Sequence, residues 1–297
     1  MIIVQLLGGM GNQMFQYALG KHLAIKNNAT LKLDTSTLLD WSPGRHLVNR
    51  NFDLDIFHFN AELATKKDIS HYTTQLMTRR EKVIFHLKRK MGVDPAFKEK
   101  SFCYDEAVLK LKGDQYLSGL WQSYKYFDGI DKIIRNDFQV KAPVENNSAA
   151  ILQSILQTNS VCINIRRTDY VSVKQTADVL GFIGLEFYKD AIELLRSKVN
   201  ELNIFVFSDD INWCKENLKT GSLPTTFVNH THAGEKFGNY FQLMQACKHF
   251  IIPNSTFAWW AAWLNTSDKK IVIAPKKWMN DPSINTSDLI PASWIRI

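Results

Sequence analysis

The chain has 297 residues, 45% of them apolar and 22% charged, with 36 Lys and Arg against 29 Asp and Glu and a formal net charge of +7. That is material for one large core or two ordinary ones, and the composition excludes disordered, collagen-like and disulfide-scaffold proteins. No run of 18 uncharged apolar residues occurs, so no single helix of the sequence suits a bilayer.

In chain order, "MIIVQLL" is an apolar run of strand length closed by "GGMG". It carries no basic n-region or small-residue cleavage site, and a cytoplasmic location is expected. "NQMFQYALGKHLAIKNN" repeats apolar residues at three and four, which predicts a helix, and "ATLKLDTST" predicts a second strand. This β-turn-α-β opening is the unit of a parallel sheet. "NFDLDIFHFN" alternates apolar and polar residues and predicts a half-buried strand or extended connection.

In "RREKVIFHLKRK", residues 79–90, six of twelve residues are Lys or Arg and only Glu81 is acidic. Such a stretch is either a solvated helix face or, with Val83, Ile84 and Leu87 between the cations, a segment that docks on an anionic membrane surface. Nucleic acid is not the expected partner, because no recognition motif accompanies the charge. "QYLSGLWQSYKYF" is aromatic-rich and suits a cleft wall, and "FQVKAPVENNSAA" holds the best boundary signal.

The βα rhythm then resumes. Strands are expected at "SVCINI", "NIFVFS", "TTFVN", "HFIIP" and a last one at "KIVIAP". Helices are expected at "GLEFYKDAIELLRSKVN", where Phe187, Ala191, Leu194 and Leu195 form the apolar stripe, and at "DDINWCKENL", "EKFGNYFQLMQAC" and "STFAWWAAWLN". The fold class read from this order is α/β, two Rossmann-like domains facing a central cleft, over residues 1–145 and 146–297, with the tail free to pack back on the first. Cys103, Cys162, Cys214 and Cys247 form no C-x-x-C pair, which argues against a zinc site or disulfide framework, and Cys162 and Cys247 read as small buried hydrophobes.

Three strands of the second half end in similar polar sets. After "VCINI" come Arg166, Arg167 and Asp169; after "IFVF" come Ser208, Asp209 and Asp210; after "HFIIP" come Asn254, Ser255 and Thr256. Ligands of open α/β sheets bind outside the carboxyl ends of the strands, so the three sets are expected to share one crevice. Adjacent arginines are forked donors suited to a diphosphate, the hydroxyls of "NST" stand at a helix start that also suits phosphate, and Asp209 offers an acceptor for guanine. Each set also has a structural explanation, an ion pair for the arginines and helix capping for "NST" and "SDD". "GGMGNQ" is neither a Walker A loop nor a full dinucleotide fingerprint, since Met14 stands at the third glycine position. "DLD" at 53–55 alternates with Phe52, Leu54 and Ile56 as a half-exposed strand does, and the histidines lack ligand spacing, so no metal site is expected.

Assembled in order, "GGMGNQMFQYALG", "NFDLDIF", "GLWQSYKYF", "INIRRTDY", "FVFSDDINWCKENL", "NSTFAWWAAWLN" and "APKKW" resemble the family 11 glycosyltransferases, the bacterial α-1,2-fucosyltransferases. The resemblance implies the GT-B fold with the sugar nucleotide held mainly by the second domain. It implies transfer of fucose from GDP-β-L-fucose to the 2-hydroxyl of a galactose-containing glycan, with inversion, no cofactor and no obligatory metal. The acceptor is then a galactose-terminated oligosaccharide or a lipid-linked glycan, consistent with a peripheral place on the inner face of the cytoplasmic membrane.

By match to the motifs, Arg166 is the phosphate clamp and Arg167 orients the loop by pairing with a carboxylate. Asn164, Ser208, Asp209, Asn254, Ser255 and Thr256 complete the donor set. "GMGNQ" resembles the GxxGNQ element of protein O-fucosyltransferases, which assigns Gly9, Gly11, Asn12 and Gln13 to the acceptor side of the cleft. Asn164 stands where the family has histidine, and asparagine keeps a neutral hydrogen bond but cannot take a proton. For the base that accepts the acceptor's proton, Asp169 is the first candidate and Glu186, His22 and Asp34 stay open. Two other readings use the same residues: a GDP-sugar transferase of different acceptor or linkage, and a non-catalytic GDP-sugar or glycan-binding module.

Overall fold

A computed structural model describes residues 1–41, 50–70, 72, 78–90, 96–168 and 179–297. The chain divides into two compact units, Met1–Gln139 with Ser287–Leu289, and Val140–Thr286 with Ile290–Ile297. Both are parallel sheets flanked by helices.

The first sheet contains β1 (Ile2–Gln5), β2 (Leu31–Asp34), β3 (Glu62–Leu63), β4 (Ala96–Lys98) and β5 (Gln115–Ser118) in the order β3-β2-β1-β5-β4. Central β1 is apolar because both its faces are covered, and Ile2, Ile3 and Val4 have no exposed surface. The helix Met10–Asn27 lies against it, burying Met14, Phe15, Tyr17, Ala18, Leu19 and Leu23. Gly20 sets the closeness of that contact, since a Cβ there meets Val4 Cγ2 at 2.4 Å and Leu31 Cδ1 at 2.8 Å. The helix ends at Asn28, which adopts the left-handed conformation with φ 47°.

The strand expected at "NFDLDIFHFN" does not form; Leu54–Ile56 is a single 3-10 turn. Alternation there serves instead to bury Leu54 and Phe57, three residues apart. The backbone finds its partners in a helix side chain rather than a sheet neighbour, for Gln13 accepts from Asp53 N at 3.0 Å and donates to Asn51 O at 2.8 Å.

The second sheet contains β6 (Asn159–Ile165), β7 (Leu202–Ser208), β8 (Thr225–Val228), β9 (His249–Ile251), β10 (Val272–Ala274) and β11 (Ile295–Arg296) in the order β11-β10-β9-β6-β7-β8. "KIVIAP" is therefore not the last strand. β11 is a two-residue edge pairing with β10, too short to show any periodicity. Of the stripe expected on the helix Leu185–Arg196, Ala191 and Leu195 are core, joined by Tyr188 and Ile192, while Phe187 and Leu194 pack only partly. The helix expected from "EKFGNYFQLMQAC" is broken, a 3-10 turn Glu235–Phe237 preceding Gly238–Ala246, with Lys236 and Phe237 at φ 47° and 62°. Cys162, Cys214 and Cys247 are buried thiols, and Cys103 is partly exposed.

β6 is the first strand of this sheet; the chain then fills β7 and β8 on one side and β9, β10 and β11 on the other. The direction of winding reverses between β6 and β9, which is where open α/β sheets bind nucleotides. Ile163 is paired with Ile251 and Ile165 with Ser208, so the polar sets that follow β9, β6 and β7 emerge side by side.

Candidate active site

Arg166 and Arg167 leave β6 in different directions. The Arg167 guanidinium lies 2.5 Å from Asp210 Oδ2 and 4.8 Å over the Trp213 ring. It is held by an ion pair and a stacking contact. Arg166 is half-exposed, with Nη1 3.4 Å from Asp209 Oδ2.

Asp209 is bonded to the turn after β6. Its Oδ1 accepts from Arg167 N at 2.9 Å, and its Oδ2 accepts from Thr168 N at 3.1 Å and Thr168 Oγ1 at 2.5 Å. One carboxylate thus binds the whole turn after β6 to the end of β7. A carboxylate takes several donors at once where a neutral acceptor is exhausted by two. The neighbouring acid is also committed: Ser208 Oγ accepts from Asp210 N at 2.9 Å, and Asp210 Oδ1 caps the helix Ile211–Asn217 by accepting from Trp213 N at 3.2 Å.

The "NST" set divides in the same way. Asn254 is buried and its Nδ2 faces three carbonyls, Leu180 O at 2.8 Å, Trp278 O at 3.1 Å and Gly181 O at 3.2 Å, so it ties the neighbouring loops together. Ser255 is the N-cap of the helix Thr256–Leu264, accepting from Ala258 N at 3.5 Å. No acidic residue stands in that helix's first turn, and the N-terminal amides and the half-exposed Thr256 keep the positive end of the helix dipole beside Arg166's strand end.

Asn164 donates from Nδ2 to Phe207 O at 3.1 Å across β6 and β7. Its Oδ1 is buried and has no partner among the described residues, the residue being 5% exposed. Asp169 lies outside the described residues. Of the other base candidates, Asp34 is buried, accepting from Tyr116 Oη at 2.6 Å and Ser36 N at 2.8 Å. His22 Nδ1 is 2.8 Å from Tyr126 O, and Glu186 is an exposed partner of Lys189 at 3.6 Å.

In the first unit Gly9 caps the helix Met10–Asn27 without a side-chain bond, and Gly11 is buried in its first turn. Gln13 lies in the core of the first unit. It is wholly buried and its amide is consumed by Gly8 O at 3.0 Å, Asn51 O and Asp53 N. Asn12 is half-exposed and its Oδ1 accepts from Gln122 Nε2 at 2.9 Å. Gln122 and Glu99 were not singled out from the sequence; "GLWQSYKYF" stood out for its rings, and the amide within it carries no separate signal. Burial pushes the Glu99 carboxyl above its ordinary range, against the pull of its bonds from Leu120 N and Trp121 N.

Two parallel Rossmann-like sheets with a cationic strand end at the winding reversal define an α/β protein of the GT-B class. The likeness to a mutant of Arabidopsis thaliana FUT1 solved with GDP supports this at the level of fold, with a TM-score of 0.51 at 12% identity over 99% of this chain and 75% of that one. The family model described as glycosyl transferase family 11 matches residues 1–297, and the chain belongs to that family. It is 32% identical to an alpha-1,2-colitosyltransferase of Escherichia coli over 100% of this chain and 98% of the relative. It is 28% identical to galactoside alpha-(1,2)-fucosyltransferase 1 of Gorilla gorilla gorilla over 52% of this chain and 45% of the relative.

Proposed function

We propose that the chain transfers L-fucose from GDP-β-L-fucose to the 2-hydroxyl of a galactose unit, with inversion and without an obligatory metal ion. The C1–O bond to the β-phosphate breaks, the bond from the acceptor's O2 to C1 forms on the opposite face, and the acceptor proton passes to a base, for which Asp169 is proposed. The observation that carries this reading is the position of Arg166 at the carboxyl end of β6, at the winding reversal, with Asp209 at 3.4 Å. As GDP leaves, negative charge grows on the β-phosphate. A guanidinium fixed in advance stabilises it by about 3–4 kcal/mol, as for other preorganised donors. Asp209, Arg167 and Asp210 hold the turn that carries it, and the amides at the start of Thr256–Leu264 supply a second phosphate contact.

The test is release of GDP and formation of a 2-linked product from GDP-fucose and lactose, with and without EDTA. GDP binding without turnover would favour a non-catalytic module, and loss of activity in EDTA would return attention to Asp53 and Asp55. A second donor, a colitosyl nucleotide, is favoured by the full-length likeness to the colitosyltransferase; faster turnover of that donor than of GDP-fucose would select it.

We also propose that the helix Arg79–Lys90 docks on an anionic membrane surface, beside a lipid-linked acceptor. Val83, Ile84 and Leu87 are 59%, 50% and 55% exposed and fall within one third of the helix circumference, with exposed Arg79 and Arg80 on the same side. A basic helix with an uncovered apolar stripe matches an acidic bilayer surface. Vesicles containing phosphatidylglycerol are expected to retain the protein at low salt, and Ile84→Asp with Leu87→Asp to abolish retention. Equal retention on neutral vesicles, or none on either, would rule the docking out.

A further inference from the structure

The carboxyl edge of the first sheet carries a polar cluster of its own. β5 lies beside β1 although β2, β3 and β4 come between them in sequence, so the winding reverses between these two strands, as it does between β6 and β9 in the other unit. After β1 comes the glycine turn, with Gly8 at φ 78°, and the helix Met10–Asn27, which starts with neither a side-chain cap nor an acidic residue in its first turn. After β5 comes Gly119 to Gln122.

That second turn is held in an uncommon shape. Trp121 is left-handed at φ 57°, which a residue with a Cβ rarely adopts without outside support. Glu99 supplies the support, accepting from Leu120 N at 2.7 Å and Trp121 N at 2.9 Å. Gly119 lets the carboxylate come close, since a Cβ there meets Glu99 Cβ at 2.4 Å. The result is that Gln122 turns inward to 4% exposure and donates from Nε2 to Asn12 Oδ1 at 2.9 Å. Its Oε1 is buried with no partner among the described residues. A buried amide oxygen without a donor is costly and uncommon, and it stands here against the first turn of a helix, at a ligand-binding edge.

We infer that Gln122 forms a sugar-hydroxyl subsite, its Oε1 accepting from one hydroxyl while its Nε2 is held on Asn12 Oδ1. The chemistry selects a neutral polyol. The cluster offers an amide oxygen that repels an anion, and its one carboxylate is spent on backbone N–H groups. That the sugar is the galactose of the acceptor rests on the transferase reading above; the site itself is defined by the residues of the first unit.

The experiment is calorimetric titration of lactose and its monodeoxy derivatives into the protein with GDP present, on the unaltered chain, Gln122→Ala and Asn12→Ala. Gln122→Ala is expected to weaken lactose about tenfold or more while GDP affinity stays within about twofold, since a site built for a hydroxyl loses most when that bond is removed. One monodeoxy derivative is expected to bind the unaltered chain weakly and Gln122→Ala no more weakly still, which a merely structural role of Gln122 would not produce. If Gln122→Ala does not fold, as loss of GDP binding would reveal, Asn12→Ala at its half-exposed position carries the same comparison. Lactose affinity unchanged in the variants, or no lactose binding by the unaltered chain, overturns the subsite. The donor reading is judged apart from it, by GDP release from GDP-fucose.

Discussion

Arg166 and Arg167 are neighbours in sequence with different surroundings. Arg167 stacks on Trp213 and pairs with Asp210, so replacing it by lysine keeps the charge pair but loses the flat stacking face, about 1 kcal/mol of loop order. Arg166 Nη1 stands farther from its carboxylate, 3.4 Å from Asp209 Oδ2, and on the proposed mechanism its fork meets the diphosphate. Arg166→Lys is therefore expected to lower turnover about 100-fold or more while GDP still binds, because a point charge does not reproduce a forked donor. Arg167→Lys is expected to lower turnover less than tenfold and to lower Tm. Steady-state kinetics of the two variants side by side check both, and near-normal turnover in Arg166→Lys would remove it from the mechanism. The sequence could present these two cations only as a pair. Which carboxylate each of them meets, and how closely, depends on Asp209 and Asp210, more than 40 positions away, and on the register of β6 with β7.

Elements with strong periodicity were legible, and those built by side chains from elsewhere were not. The helix Met10–Asn27 and the six-residue-plus strands β6 and β7 follow from their apolar patterns because they are long enough to show a period. The 3-10 turn at Leu54–Ile56 does not, since its alternating residues fit a strand equally well and Gln13 decides between the two. Packing at the element level gives a sharp expectation at Gly20. Adding one methyl there forces Val4 or Leu31 aside, and Gly20→Ala is expected to destabilise the protein by about 1–3 kcal/mol despite alanine's better helix propensity. Urea denaturation measures this, and a stabilised variant would show that the helix and β1 can separate without loss.

For the molecule as a whole, buried phenols set an alkaline limit. Burial, with hydrogen bonds to Asp137 and Asp34, pushes the ionisation of Tyr17 and Tyr116 well above the ordinary value of 10.0. Burial likewise raises Tyr126 and Tyr240. A group whose folded-state pKa is raised favours the folded state fully below its unfolded pKa and loses that contribution as pH rises beyond it. Stability is therefore expected to be unaffected by these groups up to about pH 10 and to fall above it. Tyrosinate absorbance should appear together with loss of the far-ultraviolet circular dichroism signal. Gradual ionisation with the dichroism intact would show that these phenols are solvated. At the acid side His249, whose pKa burial and Lys248 depress, acts in the opposite sense, its contribution being present above about pH 6.5 and lost as pH falls.

What the amino-acid order determined by itself is the βα alternation, and with it two parallel sheets whose strand ends gather polar residues, because hydrophobic period and turn chemistry are local properties of the chain. The tertiary structure alone decided which of those polar residues are spent. Asp209 and Gln13 are taken up by backbone groups brought to them from distant segments, while Asn164 and Gln122 each keep a buried amide oxygen without a partner among the described residues. A side chain's identity says what it can bond to; only folding says whether a neighbour has already claimed it.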